Sequence, residues 1–488
     1  MLSIRKNLAY NFLLSVSHVL LPLISIPYVS RVLLPDGIGQ VSFIDSFTYY
    51  FINIAEFGIV LYGIREVARH RHQPEALSKL VSELLALHVI TSVAAMLLYV
   101  CSILFLLGKI QDHRLIWFSV SYLLVNSFAC EWYFMGMERF RYITLRSLLT
   151  RSLGLISLFL LVKGPSDYFI YYLIMVLAAI INSIWNNFLL FREVKISFSN
   201  LQLRRHIKST RIIYAISLVY GITLMLDNVL LRLVSSSAAV GIYAFSAKLV
   251  RTASLLLTDS ITVFFPRIVA LRNEGDNEKM ETLMQKNLHL LVFFAVPACM
   301  GIALLAGPLV RSFLGGRFEA SIVPVQILAL YPLLKCLGLF FNNQVLLAHQ
   351  LEKQSLISQI AGNFLFIPLT LVLSAQFAFN GAAIALILAE LITFLCAWRY
   401  AVTTLPRLNL SYGKVTGHAL IASLVFIPVT GLLYYANLPD GLVLLIAIPV
   451  CMLLYICLQL LVLKNSFAIL LRQWVEITFF RKPEAVNE

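Results

Sequence analysis

PYVSRVLLPDGIGQVSFIDSFTYYFINIAEFGIVLYGIREVAR, residues 27–69, holds two hydrophobic runs joined at Pro35-Asp36-Gly37, and a basic cluster follows the second. Asp45 and Glu56 sit inside that second run. A carboxylate near the middle of a bilayer costs roughly 2.5–3.5 kcal/mol on insertion scales, so it is rarely there by accident. The spacing of the two is about three helical turns, which puts them on nearly one face. That face should look into protein or water, not lipid.

The rest of the chain repeats this pattern. Of 488 residues 60% are hydrophobic and 13% charged, and apolar runs of about 20 residues recur throughout, the length a bilayer requires. The polar connections are too short for an independent soluble domain. The sequence therefore predicts an all-α polytopic membrane protein. A net charge of +14 would suit nucleic acid only if the basic residues clustered on a soluble face. They instead fill alternate loops, as on the cytoplasmic side of a membrane protein, so no nucleic-acid partner is expected. The seven cysteines lie in apolar spans without metal or redox spacing and read as small packing residues. Arg5 and Lys6 precede an apolar stretch broken by Ser15, Ser17, His18, Pro22 and Pro27, with no small-residue cleavage site. It reads as an uncleaved first helix.

Fourteen spans are expected, at about 10–32, 40–63, 83–107, 115–136, 145–162, 168–190, 212–233, 239–265, 288–313, 322–347, 356–375, 380–402, 416–436 and 441–463. They group as a first six-helix lobe (1–191), a basic linker (192–211), a second six-helix lobe (212–404), two C-terminal helices (405–463) and an amphipathic tail (464–488). With both termini cytoplasmic, only Arg31, Lys109, Arg114, Lys163, Arg232, Arg311 and Arg317 fall on the far side, an asymmetry that fixes the orientation. Arg31-Val32-Leu33 followed by Gly39-Gln40-Val41-Ser42-Phe43 corresponds to Arg232-Leu233-Val234 followed by Gly241-Ile242-Tyr243-Ala244-Phe245. An even number of spans separates them, so the lobes are parallel repeats, an arrangement that places a binding cavity between lobes.

Candidate site residues follow from charges inside spans. Lys248 and Arg251 share a helical stripe with Asp259, Lys335 lies in span ten, and Asp227, Glu390, Asp45, Glu56 and Glu131 are carboxylates in other spans. Lipid exposure of so many charges is prohibitive, so they line a hydrated cavity or pair with one another. Buried pairs such as Lys248 or Arg251 with Asp227 would merely hold helices in register. As a set, three mid-membrane cations form a seat for an anionic headgroup such as a diphosphate. The carboxylates would then tune the site or bind a coupling cation, Na+ or H+. Arg31 and Arg232, at equivalent outer span ends, either guide the anion or snorkel as anchors. No nucleotide-binding loop, metal-ligand spacing or activated nucleophile is legible, so no cofactor, metal or catalytic residue is expected and energy should come from a gradient. Moving a negative charge outward gains about 2.3 kcal/mol per charge per 100 mV of inside-negative potential.

Ile26-Pro27-Tyr28, Ser30 to Leu33, Gly37-Ile38-Gly39, Tyr62 to Arg69, Glu131-Trp132-Tyr133-Phe134, Gly136 to Phe140 and Val240 to Tyr243 together resemble the Wzx-type polysaccharide-repeat flippases of the multidrug/oligosaccharidyl-lipid/polysaccharide exporter superfamily. The resemblance is densest in the first 150 residues and thin after about residue 340. It implies two six-helix lobes plus two helices, and transfer of undecaprenyl-diphosphate-linked oligosaccharide between leaflets of the bacterial cytoplasmic membrane by alternating access. It further implies a lumen lined with cations, here Lys248, Arg251 and Lys335, and work alongside polysaccharide polymerase and chain-length machinery. A lipid II flippase shares the fourteen-helix plan, but the Tyr62–Arg69 signature argues against it. A multidrug antiporter would favour carboxylates without the cation cluster, and a membrane polymerase or glycosyltransferase would carry a large outer loop.

Overall fold

Proline, glycine and a few left-handed residues decide where the long apolar runs break. The computed structural model describes residues 4–199, 201–406, 410 and 413–465; the amphipathic tail expected at 464–488 lies almost wholly outside them. The first helix, α1 (Ile4–Glu56), is interrupted at Leu34, with φ 61° and ψ 167°. The ring of Pro35 disfavours helix at the residue before it, so the chain turns there and resumes. A second break at Phe57 (φ 44°) and Gly58 (φ 74°) separates α1 from α2 (Ile59–His70). The two are bent by 41°, so the expected straight span at 40–63 is a helix to Glu56 followed by an angled one.

Helices α3 (Pro74–Leu106), α4 (His113–Asn126), the short α5 (Glu131–Gly136), α6 (Phe140–Leu161), α7 (Tyr168–Glu193) and α8 (Arg204–Val234) follow. Next come α9 (Ser237–Asn273), α10 (Asn277–Leu304), α11 (Ala306–Leu309), α12 (Ile322–Leu328) and α13 (Tyr331–Leu339). The chain continues with α14 (Glu352–Thr404), α15 (Gly413–Ser423), α16 (Phe426–Tyr435) and α17 (Asp440–Cys457). Ala378, with φ 46° and ψ −126°, divides α14 into the two spans expected at 356–375 and 380–402. Among the described residues nine helices are long and apolar enough to cross a membrane, and up to eleven if each of two bent pairs counts as one span. The protein is an all-α, multi-pass membrane protein.

Two compact units divide the chain: Met1–Ala244 with Thr370–Ala382, and Phe245–Leu369 with Ala383–Glu488. In the first, α2 and α5 meet through glycine. A Cβ on Gly63 would lie 2.7 Å from the Trp132 ring, and one on Gly136 would lie 2.7 Å from Val67 Cβ and 2.9 Å from the Ile64 carbonyl oxygen. The Tyr62–Arg69 and Glu131–Gly136 motifs are thus two halves of one packed core, with Tyr133, Phe134, Leu80 and Leu84 buried around them. By its contacts α8 sides with the first unit: Asn228 Nδ2 donates to Ser46 Oγ at 2.9 Å, and Arg232 Nη2 donates to the Lys109 carbonyl at 2.6 Å.

The second unit is centred on α10. Its Leu288 and Leu291 are buried with Phe340, Phe341 and Ala397, and its Asn287 Nδ2 donates to Gln344 Oε1 at 2.9 Å inside that layer. The last two spans dock on the same helix, where Phe293, Phe426, Cys451 and Tyr455 cluster and Tyr455 donates its hydroxyl to the Phe293 carbonyl at 2.7 Å. Cys130, Cys299, Cys336 and Cys451 are buried free thiols, and Cys130 donates to Asn187 Oδ1 at 3.7 Å.

Candidate functional site

The sequence singled out charges on helices far apart in the chain, and the second unit brings four of them onto three helices. α9 carries Lys248 and Arg251 one turn apart. α13, which opens with Tyr331-Pro332, carries Lys335, and the second half of α14 carries Glu390. Lys335 Nζ lies 2.8 Å from Glu390 Oε1, with the lysine side chain 21% exposed and the glutamate 4%. The Arg251 guanidinium stands 6.0 Å from the centre of the Tyr331 ring, at the edge of cation–π range. Tyr331, one helical turn before Lys335, interacts with Arg251, Lys335 and Glu390 alike. It is the member that sequence reading missed: a tyrosine in an apolar run carries no signal until the helices bring charges to it.

The lysine–glutamate pair cancels much of its own charge, which leaves Lys248 as the cation of this group to consider. Lys248 is exposed and makes no ion pair among the described residues. An ammonium left facing hydrocarbon would be expensive, which makes water or an anionic ligand its natural partner. Asp259, two turns beyond Arg251 on α9, is exposed too. Asp227, fully buried on α8, accepts the Tyr243 hydroxyl at 2.7 Å and the Asn228 amide at 2.9 Å.

The remaining candidates belong to the first unit. Glu131 pairs with Arg146, which also donates to Asn186, and Tyr142 donates to Asn186 at 3.1 Å. Arg146 is 3% exposed, so this network ties α5, α6 and α7 together at a buried junction. Asp45 and Glu56 both reach Tyr122 electrostatically, Glu56 also reaches Tyr49, and Asp45 reaches Tyr172. The two carboxylates thus share Tyr122 as an electrostatic neighbour. Arg31 is exposed, whereas Arg232 is spent on carbonyls, donating to Lys109 and, at 3.1 Å, to Ser235. Among the described residues no group of three or more His, Cys, Asp or Glu could hold a metal ion.

Residues 4–272 match the family model described as polysaccharide biosynthesis protein, which is more than half the chain. The chain belongs to that family. The match contains the stretches where the motifs are densest, and the resemblance read from them holds at family level.

Two curated relatives of this polysaccharide biosynthesis protein carry the name "Putative O-antigen transporter". One, from Escherichia coli (strain K12), is 27% identical over 394 residues, covering 80% of this chain and 94% of the relative. The other, from Shigella dysenteriae, is 22% identical over 355 residues, covering 72% and 87%. Among solved structures, lipid II flippase MurJ in its inward closed conformation superposes with a TM-score of 0.71 at 14% identity, covering 96% of this chain and all of that one. An inward-facing multidrug resistance MATE family transporter of the MOP superfamily gives 0.62 at 14% identity, covering 79% and 98%. These likenesses are of fold.

Proposed function

We propose that this protein is a flippase. It would carry an undecaprenyl-diphosphate-linked oligosaccharide from the cytoplasmic to the outer leaflet of the bacterial cytoplasmic membrane, by alternating access between lobes of residues 1–191 and 212–404. The observation that carries the reading is the gathering of Arg251, Tyr331 and the Lys335–Glu390 pair inside one membrane-embedded bundle, with Lys248 one helical turn from Arg251. A fold shared with lipid II and multidrug exporters supports transport but does not choose the cargo; the exposed ammonium of Lys248, one turn from Arg251, favours an anionic one.

Arg251 presents a planar donor fork suited to two phosphate oxygens, and Lys248 a mobile point charge one turn away. Lys335 joins them when Glu390 takes up a proton or another cation, because its counter-ion is then neutralised. That exchange links cation uptake to anion binding and cation loss to anion release, and it assigns Glu390 to coupling, with Asp259 and Asp227 as tuning carboxylates on α9 and α8. Arg31 lies at the outer end of its span, where departing anions pass. Asp45 and Glu56 offer a second place for a coupling cation in the first unit.

The test is genetic and chemical together. In a strain lacking the gene, lipid-linked repeat units accumulate inside and surface polysaccharide is lost, and the wild-type gene restores it. Normal surface polymer in that strain, with no trapped intermediate, contradicts the proposal.

A further inference from the structure

The turn between α2 and α3, the break before α6 and the chain leaving α7 all end at the same face of the first unit, and each brings a cation. Arg71 follows α2, Lys79 stands in the second turn of α3, Arg139 precedes α6 and Lys195 follows α7. They surround a cleft of about 890 Å³, within the ordinary range for small-ligand sites.

Not all of that charge is committed. Arg71 Nη1 lies 2.9 Å from Glu138 Oε1, and Arg139 pairs with Glu193. Lys79 and Lys195 are exposed and make no ion pair among the described residues. Glu75 is the other carboxylate on the wall, one helical turn from Lys79. Ser197 and Ser199 also line the cleft, their hydroxyls 2.8 Å apart. Two free ammonium groups, neighbouring guanidinium groups and hydroxyls are the donor set that phosphate oxygens take, with lysine acting as a point charge. The Leu77 and Val194 side of the same cleft offers an apolar wall, and the position, at helix ends of a membrane-spanning bundle beside the basic linker, is where lipid headgroups lie.

We infer that this cleft is a binding site for a phosphate-bearing headgroup, separate from the charged cluster of the second unit and independent of the transport reading. The same chemistry has two sources, an anionic phospholipid of the surrounding leaflet or a diphosphate presented at the membrane surface. A site of this kind would hold a phosphate next to the linker that leads into α8.

The experiment uses the full-length protein, the double variant K79Q/K195Q, and K353Q as a control that removes an exposed lysine of the second unit. Inorganic diphosphate is titrated against thermal unfolding in detergent, and the same proteins are compared in phosphatidylcholine vesicles with and without phosphatidylglycerol. Wild type and K353Q should gain thermal stability with at least one probe, and K79Q/K195Q should need at least about tenfold more of it for the same shift. A response to phosphatidylglycerol alone assigns the site to membrane lipid, and a response to diphosphate assigns it to a diphosphate headgroup. Equal responses from wild type and K79Q/K195Q, or no response from wild type to either probe, would overturn the inference. An unchanged unfolding temperature of K79Q/K195Q without probe separates loss of binding from loss of fold.

Discussion

Gly39 and Gly241 touch backbone to backbone. A Cβ on Gly39 would lie 1.7 Å from the Ser237 carbonyl oxygen, and a Cβ on Gly241 would lie 1.9 Å from the Pro35 carbonyl oxygen. Ser237 precedes Gly241 by the same four residues that separate Pro35 from Gly39, so the contact reads identically from either helix. The two glycines are the positions that the sequence repeat pairs, and here they meet where α9 begins and the second segment of α1 follows its turn. Small residues at helix crossings in membranes let backbones approach in this way. Gly39→Ala or Gly241→Ala should force the helices apart, at about 1–3 kcal/mol each. A lowered unfolding temperature in detergent is the expected result for both.

The α2–α5 core makes a second steric prediction. Gly136→Ala would drive a methyl group against Val67 and the Ile64 carbonyl, while at Gly63 the obstacle is the buried Trp132 ring. Neither Trp132 nor a helix backbone can yield cheaply in a filled core, so each alanine should cost about 1–3 kcal/mol. Thermal unfolding of the two single variants, compared with Gly413→Ala where a Cβ meets nothing within 4 Å, separates the steric effect from a change in helix propensity.

Breaking the Lys335–Glu390 pair from one side should be worse than removing it. Lys335→Ala leaves a nearly buried carboxylate without its cation, a change that typically costs 3–5 kcal/mol in a buried pair. Lys335→Ala with Glu390→Ala should recover part of that loss. A double-mutant cycle on unfolding temperature reads the coupling; strictly additive losses would mean the two side chains act independently.

His206 supplies a pH dependence. It lies in the first turn of α8, ahead of that helix's apolar run, 2% exposed, with Nδ1 2.8 Å from the Tyr62 hydroxyl and Nε2 2.8 Å from Glu83 Oε2. Burial pushes the imidazole below its ordinary value, helped by Arg205 and opposed by Glu83, through its hydrogen bond and charge, and by Glu66. The folded protein therefore holds a neutral ring at a pH where the unfolded chain, titrating near about 6.5, already takes up a proton. The stabilisation is present above that pH and is lost as pH falls, by at most about 1.4 kcal/mol per pH unit. Unfolding temperature should decline below about pH 6.5 in wild type and more weakly in His206→Gln.

Much of this was legible beforehand because the bilayer imposes a length. The runs at 168–190, 356–375 and 380–402 reappear as helices, and Pro35 marked its turn. The break at Phe57-Gly58 was harder to read, since Glu56 and Gly58 mark it only faintly and the apolar run resumes at once on its far side. Charges inside spans were visible as anomalies, but their partners were not: Glu131 with Arg146, or Tyr331 with Arg251 and Lys335, depends on helix rotation and neighbour order, which a single sequence does not encode locally. His206 carries no signal in the sequence because its partner Glu83 stands more than a hundred residues earlier, within α3.

If Lys248 and Arg251 receive the anionic headgroup of a lipid-linked sugar, flipping of labelled undecaprenyl-diphosphate oligosaccharide in energised proteoliposomes should depend on both. Lys248→Ala/Arg251→Ala, inserted at wild-type levels, should slow transfer by about tenfold or more, since a charged hydrogen-bonding group is worth about 1.5–3 kcal/mol. Transfer at the wild-type rate by that double variant would mean that these two cations do not receive the headgroup.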